Sequence, residues 1–401
     1  MNIRMSEAIE TLAPRTQHPV LFAFDGPQGR VIGRGAPIPL PRGTMTTLAA
    51  RVDRALASAG SGAILGGALP FERDDADCLW LCPASARTDD APDADGQGVL
   101  PLRDWNLSAQ PAAGDYAAAV DHALRIMQDE AGKPNALEKI VLARSLLIEA
   151  GVEIPVPALM ARLGADPAVT AFRVALPAQG NAARRTLCGA TPELLLEKRG
   201  RAISSHPLAG SARRLADAAL DRANAEALRH SEKDHREHAF VVEYIMDVLS
   251  PHCRRLAAPQ GTTLTNTRSM WHLGTRIEGE LTDPDTPSVV LAALLHPTPA
   301  VCGAPMRRAY DLIGALEAFP RDFYAGAVGW CDAKGDGAWQ VAIRCAEISG
   351  SQARLYAGAG IVPGSDPMAE AAETGAKFGA FLTALGLPLD AGLSGVNKVT
   401  E

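Results

Sequence analysis

AGAVGWCDAKGDGAWQVAIRCAEIS, residues 325 to 349, decides the fold. Two runs of small, β-branched and aromatic residues flank a Gly-Asp-Gly turn at 335 to 337, too short to hold a crossover helix. Tight turns between strands favour antiparallel pairing. ARLYAGAGIV, 353 to 362, follows as another strand. Glycines inside it weaken the strand unless something must approach the backbone closely. In WQVAIRCAEI, alternation puts Val341, Ile343 and Cys345 on one face, and Gln340, Ala342, Arg344 and Ala346 on the other. Arginine among small apolar residues needs a partner, and its planar fork suits a carboxylate held through two bonds. A structural pair with Glu347 or Asp332 is the alternative.

The same texture extends outward. Strand signals occur in HPVLFAFD (18 to 25), GAILGGALPF (62 to 71), KIVLARSLLIEA (139 to 150), RTLCGATPELLLEKRGRAISSHPLAGSARR (185 to 214) and TLTNTRSMWHLGTRIEGEL (263 to 281). Helical periodicity marks 47 to 60, 114 to 132, 231 to 250, 285 to 295 and 367 to 385. The expected class is α+β. Length alone, 401 residues, allows two or three domains.

The chain is 47% apolar and 21% charged, with net charge −7, so no nucleic-acid surface is expected; an anionic small molecule stays open because local groups decide that. No apolar run approaches membrane-spanning length, and the N-terminus lacks a signal-peptide core. Seven scattered cysteines without CxxC spacing read as free thiols of a cytoplasmic protein, not as a zinc site. PASARTDDAPDADGQG, 83 to 98, reads as an exposed acidic loop without a functional assignment.

Two helices aim acids at their own packed side. At roughly 100° per residue, Asp234 lies about 60° from Glu237, among Val241, Tyr244, Ile245 and Val248. In the last helix Glu370 and Lys377 flank Glu373 on a face shared with Ala380, Phe381 and Ala384. One such pair is equally a partly exposed edge or a salt bridge to Lys377. Two matched pairs repel and lose solvation unless a cation sits between them. Lys377 alone does not balance four acids, and all-oxygen ligands point to Mg²⁺. Lys139 opens a strand whose alternate residues Val141 and Ala143 share its face, a setting for a lysine base. Strand-end lysines are also common. Glu193, after Pro192 and before three leucines, sits where burial would keep it protonated. Gly210 and Ser211 offer a backbone N–H and a hydroxyl to an anion, or form a plain turn.

GATPELLLEK, SSHPLAGSARR, SEKDHREHAFVV, LHPTPAVCG, GAVGWCD, VAIRCAEI, YAGAGIVPGSDP and ETGAKF together resemble the Mg²⁺-dependent chorismate-utilising enzymes, and among them the isochorismate synthases of siderophore biosynthesis. The likeness runs in order from residue 114 to 387; residues 1–110 match only in general character. It implies one large domain of two antiparallel β-sheets with surrounding helices, the anthranilate synthase component I-like fold. In it, 1–110 is the N-terminal part, 111–390 the catalytic core and 391–401 a tail.

The resemblance also implies roles. Glu237 and Glu373 would bind Mg²⁺, with Asp234 and Glu370 nearby. Lys139 would activate water for attack at C2 of chorismate, and Glu193 would protonate the departing 4-hydroxyl. Gly210, Ser211 and Lys377 would help hold the ring carboxylate, and Arg344 and Gly358 the enolpyruvyl carboxylate. His272, Ala300 and Tyr356 would complete the substrate site. Ala209 stands where aminodeoxychorismate synthases carry a nucleophilic lysine, and anthranilate synthases lack the lysine base. Ala300 stands where the pyruvate-expelling branch has threonine, so isochorismate is the expected product and salicylate the alternative. Menaquinone supply is the second alternative to the siderophore pathway. Chorismate is the one expected partner; no glutaminase subunit or organic cofactor is implied, and a monomer is expected.

Overall fold

The computed structural model describes residues 19–34, 38–83, 104–177 and 184–392. From residue 84 the acidic loop lies outside these residues, as does the tail beyond residue 392.

The stretch at 325–349 does form a hairpin, Ala327–Asp332 against Gly337–Val341. Its turn is fixed by chemistry: Asp332 Oδ1 accepts from the N–H groups of Lys334 at 2.8 Å and Asp336 at 3.0 Å, and Gly335 takes φ +77. This hairpin is the middle of a nine-stranded sheet ordered Cys253–Ala257, Ile277–Leu281, Ala202–His206, Leu194–Arg199, Gly337–Val341, Ala327–Asp332, Ile64–Leu69, Cys78–Cys82, Ile38–Pro39. A second nine-stranded sheet runs Gly303–Ala304, Lys139–Glu149, Gln352–Ile361, Cys345–Ser349, Arg185–Thr191, Thr170–Leu176, Val20–Gly26, Gly29–Arg34, with Asn106–Gln110 also on Lys139–Glu149. Every pairing in both is antiparallel. The two expected sheets are therefore joined by a third element. Leu208–Arg213, Met270–Thr275 and Thr262–Asn266 form a separate three-stranded sheet, which the Gly-rich segment starts.

The main core lies where the two large sheets face each other. Phe22, fully buried, fills space that Gly33 and Gly66 leave open; a Cβ at either glycine would stand within 2.7 Å of its ring. Leu65, Val328 and Trp339 complete this layer. The helix Ala113–Glu130 packs on the last helix, Pro367–Leu385, which itself lies on the strand Gln352–Ile361. The helix Glu232–Leu249 lies on the small sheet. Both acidic helices begin where their sequences say: Ser231 Oγ accepts from Asp234 N at 3.3 Å, and Asp366 Oδ1 from Ala369 N at 2.7 Å.

One expectation fails. WQVAIRCAEI is not one strand: Gly337–Val341 ends in one large sheet, and Cys345–Ser349 begins in the other. The break is at Arg344, with φ +49, a region that non-glycine residues enter only at a cost. The neighbouring chain makes the same step in reverse, from Arg185–Thr191 through Pro192 and Glu193 to Leu194–Arg199. Two backbone bonds zip the steps together, Ala190 N to Arg344 O and Val341 N to Glu193 O, each 3.1 Å.

Candidate active site

The paired sheet-to-sheet steps open a cavity, and both carry functional side chains into its wall: Glu193 from one, Arg344 from the other. Of the fourteen residues singled out from sequence, eleven line this cavity. Lys139, Asp234 and Glu370 stand behind it.

Burial raises the Glu193 carboxyl from an ordinary 4.5 to about 8, against opposing pulls from the Leu208 backbone, Lys139, Lys377 and Arg344. The group is therefore neutral at pH 7. Burial likewise lowers Arg344 to about 10, still protonated at neutral pH. Neither suggested structural partner holds Arg344. Glu347 pairs with Arg185, the Asp332 carboxylate caps its own turn, and Arg344 has no ion pair among the described residues. His272 is buried with Nε2 unpartnered, and burial, reinforced by Arg344 and Lys377, lowers it well below its ordinary value, leaving it neutral.

The acids are less short of counter-charge than the sequence suggests. Lys377 Nζ lies 2.6 Å from Glu373 Oε1 and donates to Gly358 O at 2.9 Å. Lys233 Nζ lies 2.6 Å from Glu370 Oε1, and Lys139 Nζ 3.2 Å from Glu237 Oε1. Three lysines thus face three acids, which removes the premise that Lys377 stands alone. Lys139 faces a carboxylate and not an apolar pocket; its buried Nζ makes no hydrogen bond. Ser211 Oγ donates to Glu373 Oε1 at 2.9 Å, so the anion it meets here belongs to the chain itself. Asp234 is only half-buried, and burial, with Glu237 and Glu373 adding to it, raises its carboxyl. Burial also raises Glu370, with Glu373 the next cause. Glu373 goes the other way: burial opposes its charge, but Lys377, Ser211 and Lys233 together lower it.

The strand glycines do permit close approach. A Cβ on Gly360 would stand 2.0 Å from Glu237 Oε1, and one on Gly358 2.9 Å from the Tyr324 hydroxyl. Gly210, at φ +75, would meet Asp234 Cβ at 2.8 Å. Each glycine marks a carboxylate or hydroxyl seated against backbone. Among the described residues no three His, Cys, Asp or Glu side chains converge closely enough to enclose a cation. The four carboxylates supply only oxygen donors, the ligand type that hard cations take.

A family model for chorismate binding enzymes matches residues 95–386. The chain belongs to this family. Isochorismate synthase DhbC of Bacillus subtilis is 39% identical over 356 residues, 86% of this chain and 87% of that one. The vibriobactin-specific isochorismate synthase of Vibrio cholerae is 38% identical over 328 residues, 82% of this chain and 80% of its own length. A crystal structure from Bacillus anthracis, assigned as a 2,3-dihydroxybenzoate-specific isochorismate synthase, superposes with TM-score 0.83 at 36% identity, covering 92% of this chain and 97% of that one.

The cavity of this chorismate-binding enzyme is built in part by residues that sequence reasoning missed. Tyr324 lines the cavity and stacks on Tyr356, ring centroids 4.9 Å apart. Behind it, Arg321 donates to Val301 O at 2.6 Å and Val141 O at 2.7 Å and pairs with Glu317, whose Oε1 accepts from Ala143 N at 2.8 Å. A signal was available only for the last pair, since Arg321 and Glu317 stand four apart.

Proposed function

We propose that this enzyme is an isochorismate synthase that adds water at C2 of chorismate and expels the 4-hydroxyl. The carrying observation is that one cavity combines a carboxyl kept neutral to about pH 8, Glu193, with an unpaired guanidinium, Arg344. A neutral acid can donate a proton to a leaving hydroxyl at pH 7. Chorismate carries two carboxylates, and Arg344 and Lys377 offer a cation to each.

In this reading the attacking water gives its proton to Lys139 acting as the neutral amine, and Glu193 delivers one to the departing hydroxyl. The ring double bonds shift between the two carbons, and water is consumed and released in equal measure. Support for Lys139 is its buried Nζ without a hydrogen bond and its neighbour Val141, two residues along the same face, in the cavity wall. Gly210, Ser211 and Lys377 serve the ring carboxylate; Arg344 and Gly358 serve the enolpyruvyl carboxylate. His272 and Tyr356 complete the walls.

Mg²⁺ is bound in proteins through one or two carboxylates plus water and substrate oxygens. Glu237 and Glu373, the wall's two carboxylates other than Glu193, fit that demand, with Asp234 and Glu370 supporting them. When bound it would neutralise a substrate carboxylate. Buried Ala209 leaves no amine for covalent attack there, and Ala300 presents a methyl group with no hydroxyl, which supports a reaction that stops at isochorismate. The 2,3-dihydroxybenzoate-specific neighbour supports a siderophore role. The described residues up to Gln110 belong to the same unit in this reading, since Val20–Gly26 and Ile64–Leu69 lie inside the two large sheets. We also infer a monomeric cytoplasmic enzyme, consistent with seven free thiols; among the described residues no helix is long and apolar enough to cross a membrane.

The test is incubation with chorismate, with and without Mg²⁺, and chromatography of the products. Isochorismate without pyruvate, lost on chelation and in Lys139→Ala, is the expected result. Salicylate with pyruvate would favour the lyase reading, and unchanged chorismate would sink both.

A further inference from the structure

The reaction cavity is compact, ≈ 70 Å³. Beside it lies a much wider hollow of ≈ 970 Å³ by the same measure. The two share Pro192, Ser211, Arg344 and Glu373, so they meet at the residues that would hold substrate. Two elements run outward along the hollow. The strand Leu208–Arg213 has Gly210 in the cavity, Ser211 in both and Arg213 in the hollow, about 7 Å further on at strand rise. The last helix lines it from Glu373 to Ala384, about 16 Å at helical rise.

The hollow is cationic on a protein whose net charge is −7. Its lining holds five arginines against three carboxylates. Arg214 is fixed by Asp221 at 2.9 Å and stacks 4.5 Å over Trp271. Arg213 and Arg268 are exposed, and neither guanidinium has an ion-pair partner among the described residues. An acidic protein repels a dianion at long range, and a locally positive concave surface reverses that.

We propose that this hollow is the route by which the dicarboxylate substrate reaches the cavity, with Arg213 and Arg268 as its electrostatic guides. The inference rests on the isochorismate synthase reading. It deepens that reading by assigning two residues that touch no reacting atom.

The test is stopped-flow binding of chorismate, read by protein fluorescence, alongside steady-state turnover at low and high salt. For R213Q/R268Q the association rate constant falls about three- to tenfold at low salt and its salt dependence flattens, while kcat stays near wild type. R54Q/R125Q, which removes two exposed arginines elsewhere, keeps the wild-type rate and slope. Ala380→Trp narrows the hollow; association and dissociation both slow, with Kd nearly unchanged. An unaltered association rate and salt slope in R213Q/R268Q, or an Ala380→Trp variant with wild-type rates, would overturn the route. Failure of the wild type to convert bound chorismate would overturn the enzymatic reading while leaving the binding-rate comparison intact.

Discussion

Replacing Glu193 by glutamine separates what its burial costs from what it contributes. The carboxyl titrates at about 8 in the folded chain against an ordinary 4.5, with burial the leading cause. The sign follows from that order. Between the two values the folded protein holds a proton that the unfolded chain has lost, so stability declines as pH rises through this window. At roughly 1.4 kcal/mol per pH unit the decline reaches about 3 kcal/mol by pH 7 and levels off above pH 8 at about 5 kcal/mol, as upper bounds. Glutamine keeps the shape and does not titrate. Glu193→Gln should therefore match wild type in stability below pH 4.5 and gain on it progressively up to pH 8.

Activity should move the other way. Wild-type kcat/KM should fall about tenfold per pH unit above pH 8 as the acid is lost, and Glu193→Gln should lose about 10²- to 10⁴-fold at pH 7. Urea denaturation at pH 5 and pH 8, with product formation at pH 7, checks both. A stability difference independent of pH would mean that the folded carboxyl is not held protonated. Activity within tenfold of wild type would remove Glu193 from proton transfer even if the stability result held.

Two further perturbations probe the cavity's supports. Gly360→Ala would set a methyl 2.0 Å from Glu237 Oε1, so the carboxylate must move; activity should drop at least 100-fold and stability by about 1–3 kcal/mol, checked by turnover beside thermal unfolding. Arg321→Met strands Glu317 in the interior and frees the Val141 and Val301 carbonyls, costing about 3–5 kcal/mol in denaturant titrations, whereas the double variant with Glu317→Gln should cost less than the sum of the two.

What could be read from the sequence divides along a physical line. Features set by neighbours in the chain were legible. The Gly-Asp-Gly turn specified its hairpin, Ser231 and Asp366 started their helices, and helical spacing put Glu237 and Glu370 on buried faces. Pro192 and the leucines around Glu193 announced a buried carboxyl. Features set by elements far apart were not. Lys139 and Glu237 face each other across 98 positions, and Lys233 meets Glu370 across 137, so neither pairing leaves a periodic trace. The expectation that Lys377 alone faces the four acids missed Lys139 and Lys233, though three lysines still leave Asp234 without a partner lysine among the described residues. The third sheet was hidden similarly, because its strands Leu208–Arg213 and Met270–Thr275 are separated by two helices.

Arg344 shows how a residue of the cavity wall was picked out through an incorrect local structure. Alternation treated it as facing out of a continuous strand among small neighbours, and a continuous strand would have placed it on a sheet face. The chain instead leaves one sheet at Val341 and joins the other at Cys345, with Arg344 forced to φ +49 between them. Glu193 occupies the matching step next door, and the backbone bonds from Ala190 and Val341 hold the two steps in register. A buried neutral carboxyl and a guanidinium are thereby fixed relative to each other by main chain, which long flexible side chains on one surface would not achieve. The small apolar neighbours that made Arg344 look misplaced, Ala342 and Ala346, are fully buried and let two strands cross between sheets side by side. The local irregularity and the cavity have one cause: the chain changes sheets where Glu193 and Arg344 enter the wall.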